Sequence, residues 1–476
     1  MAKDESEPLL KANVQEGGRE AANWPVQQQF GVKPRTLVVL LVLSLLCYAV
    51  ALGLTVVTFP AAISSDVRVG SSMFFEFALQ AVLFAWVFLA CTVVWGSVRI
   101  AWKRLLCQEP ASAMHGRQLG LVAAGLTFVY AFALGAYMVL QKVDARGDRG
   151  LTFPTTLAPF VLGLCFIVYL LLPPGRYLGK ILVQVLLAPI WGVRFVHVVV
   201  ADALTSACLA LWNLEYALCF FGSLEWLSKT PTVPNGLCDS AAHVQWAKPI
   251  MYALPFWIRF VQCWFRAWET RSESGWKFWS NVVNAGKYLS ALLVVVTSTL
   301  HGDLSAHDPN SWTGWRIAWL VALIVKTAYC YVWDLCMDWD LCKKNAPSFG
   351  LRKTLLYRNH TWVYYLAIFN NFWMRCSWSF ALSVNQVPKN WSLVTAVVEI
   401  VRRGQWLVFR LENEHLQKIA VPTTVRRPSF DEMDADADGR SDVPDDAEFV
   451  TLPDESTYVL LPEDAPYLRR ESATLS

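Results

Sequence analysis

Long apolar runs in this chain match the thickness of a lipid bilayer, and several of them carry charged residues inside. The clearest runs are Thr36–Phe59, Phe74–Val98, Leu119–Leu140, Leu157–Leu172, Val196–Phe221, Val282–Leu300 and Trp315–Trp333. A hydrocarbon core takes about 20 helical residues to cross. A single chain segment there can satisfy its backbone only as a helix. The 476 residues are 55% hydrophobic and 17% charged, too little polar material to cover a soluble fold of this size. An all-α polytopic membrane protein is therefore expected.

Loop charges set the expected topology, because Lys and Arg collect on the cytosolic side. Lys343, Lys344, Arg352, Lys353 and Arg358 make one connection cytosolic, and Arg266, Arg271 and Lys277 another. Arg99, Lys103, Arg104 and Arg117 do the same near the front, whereas His301–Ser311 has no Lys or Arg and is placed in the lumen. Counting every apolar candidate gives eleven spans and conflicts with these charges. The weakest, Arg176–Arg194, contains Arg176, Lys180, Gln184 and Pro189, and reads as an amphipathic helix on the cytosolic interface. About ten transmembrane helices remain, with both termini cytosolic.

The expected organisation is a polar, disordered cytosolic tail (1–35), an N-terminal four-helix membrane region (36–174), a charged helical core (175–418) and an acidic, Pro-rich disordered tail (419–476). No cleavable signal peptide precedes the first run, so insertion is expected to start with an uncleaved helix. A formal charge of +3 gives no argument for nucleic-acid binding. The 12 Cys residues are scattered without a C-x-x-C pair, and read as apolar packing residues rather than disulfides or zinc ligands. No nucleotide-binding glycine loop, H-E-x-x-H or G-x-S-x-G occurs, so neither an enzyme nor a cofactor is expected.

The charges within the spans carry the functional reading. Lys287 lies in one span, Lys326 and Asp334 in the next, and Asp338 one turn beyond Asp334. Arg375 and Trp378 follow, then Glu399, Arg402, Arg403 and Arg410, while Asp202 sits upstream. Each ion costs several kcal/mol at the bilayer centre unless paired or wetted. Both signs occur on at least four helices, so the groups can converge on a polar pathway. The basic members fit an oxyanion, since Arg presents a planar fork and Lys a point charge. The carboxylates Asp202, Asp334 and Glu399 can hold those bases while no anion is present. Phosphate and sulfate both suit this arrangement.

Four ordered motifs then carry a resemblance. Asn284-Ala-Gly-Lys-Tyr288, Trp333-Asp-Leu-Cys-Met-Asp-Trp339, Arg375-Cys-Ser-Trp378 and Arg402-Arg403 with Phe409-Arg-Leu-Glu-Asn-Glu-His415 resemble the EXS domain, over about residues 175–418. Pro255–Cys263 and the stretch from Asp202 to Tyr216 are similar to it as well. That family includes XPR-type phosphate exporters and Erd-type Golgi proteins. The resemblance implies a ten-helix body whose last six helices form a channel-like path for inorganic phosphate. It implies phosphate binding by Asp202, Lys287, Tyr288, Asp334, Arg375, Arg402 and Arg403, and lining, gating or support by Thr205, Asp338, Trp378, Glu399 and Arg410. Thr205 stands where the exporters are expected to have Asn, Cys336 replaces a Lys, and Lys326 has no counterpart in the motif. Only about 35 residues precede the first run, too few for the SPX sensor domain, so the resemblance is to the short, Erd-type branch that returns phosphate from the Golgi lumen.

The tails carry short signals. Glu5 with Leu9 and Leu10 matches an acidic dileucine pattern, and Tyr458 with Leu461 a tyrosine-based one, implying clathrin-adaptor or coat partners and an endomembrane address. The remaining partners expected are inorganic phosphate and membrane lipid, and a homodimer is compatible with the reading. A non-transporting scaffold that retains Golgi enzymes is the competing reading. It would depend on Leu9 and Leu10 and tolerate changes in the charged spans. Asp434-Ala-Asp-Ala-Asp438 mimics the start of a calcium loop but lacks flanking helices, so no metal site is expected.

Overall fold

The computed structural model describes residues 66–106, 116–144, 161–163, 173–187, 192–223, 238, 240–272, 275–304, 314–343, 346, 348–357, 360–377, 391–418, 448–451 and 457–460. Outside them lie Thr36–Phe59, most of Leu157–Leu172, Trp378, Glu5, Leu9, Leu10, Leu461 and the acidic repeat from Asp434. The membrane body is helical. In chain order its elements are α1 (Asp66–Ser97), α2 (Trp102–Leu106), α3 (Gly116–Asp144), α4 (Pro173–Leu186), α5 (Phe195–Thr205) and α6 (Cys208–Gly222). They continue with α7 (Ala241–Glu269), α8 (Gly275–Leu304), α9 (Gly314–Trp333), α10 (Trp362–Arg375) and α11 (Trp391–Lys418).

Among the described residues, four helices are long and apolar enough to cross a membrane, and α5 with α6 makes a fifth candidate bent by 74°. The ten-span expectation extends over residues not described. Phe128 and Phe132 of α3 and Leu218 of α6 are well exposed, an apolar outer face that lipid rather than water would cover.

The run Val196–Phe221 was expected to be one span, and the structure breaks it at Ser206. The Thr205 hydroxyl donates to the Asp202 carbonyl at 2.7 Å, and the Ser206 amide turns to the Ala203 carbonyl at 3.0 Å. Hydroxyls that compete for backbone acceptors loosen the i→i−4 ladder. Irregular backbone at membrane depth survives only where protein or a wet cavity surrounds it, and this joint has both. The expected amphipathic helix also ends early. α4 stops at Leu186 because Pro189 cannot continue it, and Arg194 instead begins α5. Ile181 and Val185 of α4 pack inward on Val196, Ala201 and Ile258, while Arg176 and Lys180 face outward.

α1 is not a separate layer from the charged core. It packs on α3 and α6, and its Cys91 thiol approaches the Gly404 carbonyl of α11 at 3.4 Å. A Cβ added at Gly404 would overlap Val87, so only glycine permits this close helix approach. One large cluster, including Trp95, Trp102, Trp339 and Trp406, ties α1 and α2 to the ends of α9 and α11. Below it, Arg352 pairs with Glu412 at 2.6 Å, and Glu412 also accepts from the Leu356 amide and the Tyr364 hydroxyl. Arg352, counted as a loop charge, is therefore a buried clamp on α11. Burial, with Glu412 adding to it, pushes the nearby Tyr357 hydroxyl well above its usual range.

Two further departures concern the cysteines and the tail. Cys219 and Cys238 form a disulfide, contrary to the expectation that the thiols only pack. Ser240 caps α7 by accepting from the His243 amide, and His243 reaches Glu215 of α6 at 3.0 Å, which draws the two helix ends together. Cys91, Cys208 and Cys263 are free and buried, as expected of packing residues. The chain divides after Asn413, and the unit Glu414–Ser476 contains an antiparallel ladder of β1 (Glu448–Thr451) with β2 (Thr457–Leu460). Disorder was expected throughout this tail, yet Phe449 faces Val459 and Val450 faces Tyr458, cross-strand pairs that favour a ladder.

Peptide mapping without reductant is expected to recover Cys219 and Cys238 in one linked species. Cys219→Ser is expected to lower unfolding stability by about 3 kcal/mol, given the length of the loop closed, read as a fall in melting temperature in detergent.

Candidate functional site

A cavity of about 350 Å³ lies among α5–α11. It is lined by all seven residues expected to bind the anion: Asp202, Lys287, Tyr288, Asp334, Arg375, Arg402 and Arg403. Thr205 and Glu399 line it too, as does Lys326. Asp338 and Arg410 do not. Asp338 accepts from Trp406 Nε1 at 3.0 Å and lies 3.7 Å from Arg410 Nε, so this pair braces α9 against α11 beside the cavity.

Asp334 and Asp338 were read as neighbours on one helical face, and the structure separates their roles. α9 ends in a π turn, Asp334–Asp338, closed by the Trp339 amide on the Asp334 carbonyl at 2.8 Å. Such wide turns recur at functional sites. This one leaves Asp334 on the cavity wall and Asp338 behind it.

Each cavity carboxylate is held by arginine. Asp334, almost fully buried, contacts Arg375 directly, accepts from Asn371 Nδ2 at 3.1 Å and lies 3.5 Å from Arg402 Nη1. Glu399 takes the Arg402 fork with both oxygens, at 2.8 and 2.5 Å. Asp202 accepts from Arg259 Nε at 2.9 Å and from the Tyr288 hydroxyl at 2.6 Å. Arg259 also donates to Gln262 Oε1 at 2.7 Å and stacks over the Tyr288 ring at 4.8 Å. Sequence reasoning missed Arg259, Gln262 and Asn371. The one signal available was that Arg259 falls within Pro255–Cys263, one helical turn after Pro255.

The other basic groups have no carboxylate. Arg403 Nε and Nη2 donate to the hydroxyls of Ser206 and Thr205 at 2.9 and 3.0 Å, and its guanidinium stacks on Trp406. Ser206 in turn donates to Glu399 at 2.8 Å, so the helix joint and α11 share one network. Lys287 Nζ lies 4.5 and 5.2 Å from the Tyr288 and Trp333 ring centroids. Among the described residues neither Lys287 nor Arg403 makes an ion pair. A neutral hydroxyl or ring face is a weaker partner than an anion, so both remain available to one.

A model of the EXS family matches residues 72–416. The chain belongs to the EXS family. The match begins well before residue 175, where the resemblance was expected to start, and takes in α1 and α3. SPX and EXS domain-containing protein 3 of Dictyostelium discoideum is 32% identical over 304 residues, 63% of this chain and 31% of that protein. SPX and EXS domain-containing protein 1 of the same organism is 27% identical over 70% of this chain and 36% of its own length. Human solute carrier family 53 member 1 is 30% identical over 60% of this chain and 42% of its own length. The chain thus spans less than half the length of these relatives. It is a multi-pass membrane protein of this family.

Removing Asp334 would leave Arg375 and Arg402 buried without their shared carboxylate. Asp334→Ala is expected to cost about 3–5 kcal/mol of stability, seen as a lower melting temperature. The double change Asp334→Leu with Arg375→Met is expected to recover most of that loss.

Proposed function

We propose that this chain is a facilitative, channel-like transporter of inorganic phosphate that returns the ion from the Golgi lumen to the cytosol. The observation that carries the reading is the charge arrangement of the cavity. Asp202, Asp334 and Glu399 are each satisfied by arginine, whereas Lys287 and Arg403 line the same space with no carboxylate partner among the described residues. Two cations match a doubly charged oxyanion. The Thr205, Ser206 and Tyr288 hydroxyls line the same space, their protons held by the Asp202 carbonyl, Glu399 and the Asp202 carboxylate. The three carboxylates orient the bases, and an arriving anion competes with Ser206 and Thr205 for Arg403. Membership of the EXS family and a relative bearing a solute-carrier name both favour transport.

The orientation follows from loop charge, with both termini cytosolic. The Cys219–Cys238 bridge supports it, because an α7 that crosses to the cytosolic Arg266 and Arg271 begins beside Cys238 in the lumen, and disulfides persist in oxidising compartments. The Golgi address rests on the resemblance to Erd-type proteins and on the tail signals.

Purified protein in vesicles loaded with labelled phosphate tests the reading. Flux is expected, and Lys287→Ala and Arg403→Ala are each expected to reduce it about 10- to 100-fold, the worth of a hydrogen bond to a charged group. Unlabelled sulfate in excess is expected to compete less well than phosphate. No flux, or flux indifferent to both changes, would instead fit a scaffold.

A further inference from the structure

Among the described residues, Lys326 is an intramembrane cation that neither the EXS motifs nor the Asp334 cluster explains. It lies twelve residues into α9, about 18 Å along the axis from Gly314 and well inside a helix of 20 residues. Lysines that snorkel do so near helix ends, and this one is too deep for that. Among the described residues no carboxylate pairs with it, and its Nζ lies 5.9 Å from the Phe256 ring centroid. A half-buried ammonium at that depth persists only if it is wetted, and Lys326 does line the cavity.

Its position within the cavity follows from helix register. Lys326, Cys330 and Asp334 recur every four residues and all line the space, so one face of α9 forms a wall. Lys326 stands about 12 Å from Asp334 along it. α11 runs parallel to α9, since Asp334 meets Arg402 and Asp338 meets Trp406. The same register sets Ser392 and Thr395 level with Lys326, and both line the cavity. From α7, Phe256 reaches Lys326, and Tyr252 lies one turn before it on the same wall. This end of the cavity therefore gathers an ammonium with no carboxylate partner among the described residues and several hydroxyls, with Asp334 toward the other end.

We propose that Lys326 forms an outer oxyanion position in this cavity, occupied before the ion moves on to Lys287 and Arg403. It rests on the reading of the cavity as a phosphate path. Two positions in succession along the cavity allow one anion to enter while another leaves, which a path needs if binding is not to become a trap. The outer position faces the N-terminal end of α9, the lumen in the orientation proposed above.

Initial phosphate uptake into vesicles, measured against phosphate on the α9 N-terminal side, tests this. Lys326→Met is expected to raise the half-saturating concentration about tenfold, the loss of one charged donor. Lys326→Arg is expected to restore it, with melting temperatures of both variants close to that of the parent. If Lys326→Met does not fold, Lys326→Gln is read in the same assay against the same expectation. Parent flux with an unchanged half-saturating concentration in the neutral variants would overturn the outer position and leave the phosphate reading intact. Absence of phosphate flux in the parent protein would overturn both.

Discussion

The carboxylate of Asp334 sits between two arginines where neither sign could stand alone. An unpaired ion in a water-poor interior costs several kcal/mol, so every charge placed there recruits a partner or a wet surface. Asp334 meets Arg375 and Arg402, Asp202 meets Arg259, and Glu399 meets the fork of Arg402. These pairs tie α5 to α7, and the end of α9 to α10 and α11. Buried pairs contribute little net stability against an apolar core of the same shape. Their retention here is explained by what they leave over, a cavity whose remaining charges are cationic.

The two irregular turns serve the same arrangement. At the α5–α6 break the Thr205 hydroxyl still donates to the Asp202 carbonyl but accepts from Arg403, and the Ser206 hydroxyl accepts from Arg403 and donates to Glu399. The π turn after Trp333 does the complementary job, putting Asp334 on the wall and giving Asp338 to Trp406. Backbone regularity has been given up at the two places where α5–α6 and α9 meet α11.

The candidate site was more legible in the sequence than the fold around it. Asp202, Lys287, Asp334, Arg375, Arg402 and Arg403 stand out because ions in apolar runs are costly, and all line one cavity. Tyr288 became visible only through the EXS motif, since a tyrosine in a span is ordinary. Arg259 was hidden because α7 carries a second arginine, Arg266, among four Trp, and nothing local marks which arginine turns inward. The break at Ser206 was hidden too, since Thr and Ser scarcely lower the hydropathy of the run. Cys219 and Cys238 have no motif spacing, and only the meeting of two helix ends makes them a pair. The tail ladder was masked by an acidic average that hides short runs of Val, Phe and Tyr.

Gly404 and Val87 belong to helices more than three hundred residues apart in sequence, yet their backbones approach until no side chain fits at 404. The two positions therefore behave as one choice of volume. Any gain at 404 has to be met by a loss at 87 or by a shift of α1 away from α11, and Arg402 and Arg403 flank that contact. Among related chains, this coupling would be written as paired substitution, large with small, across the two helices.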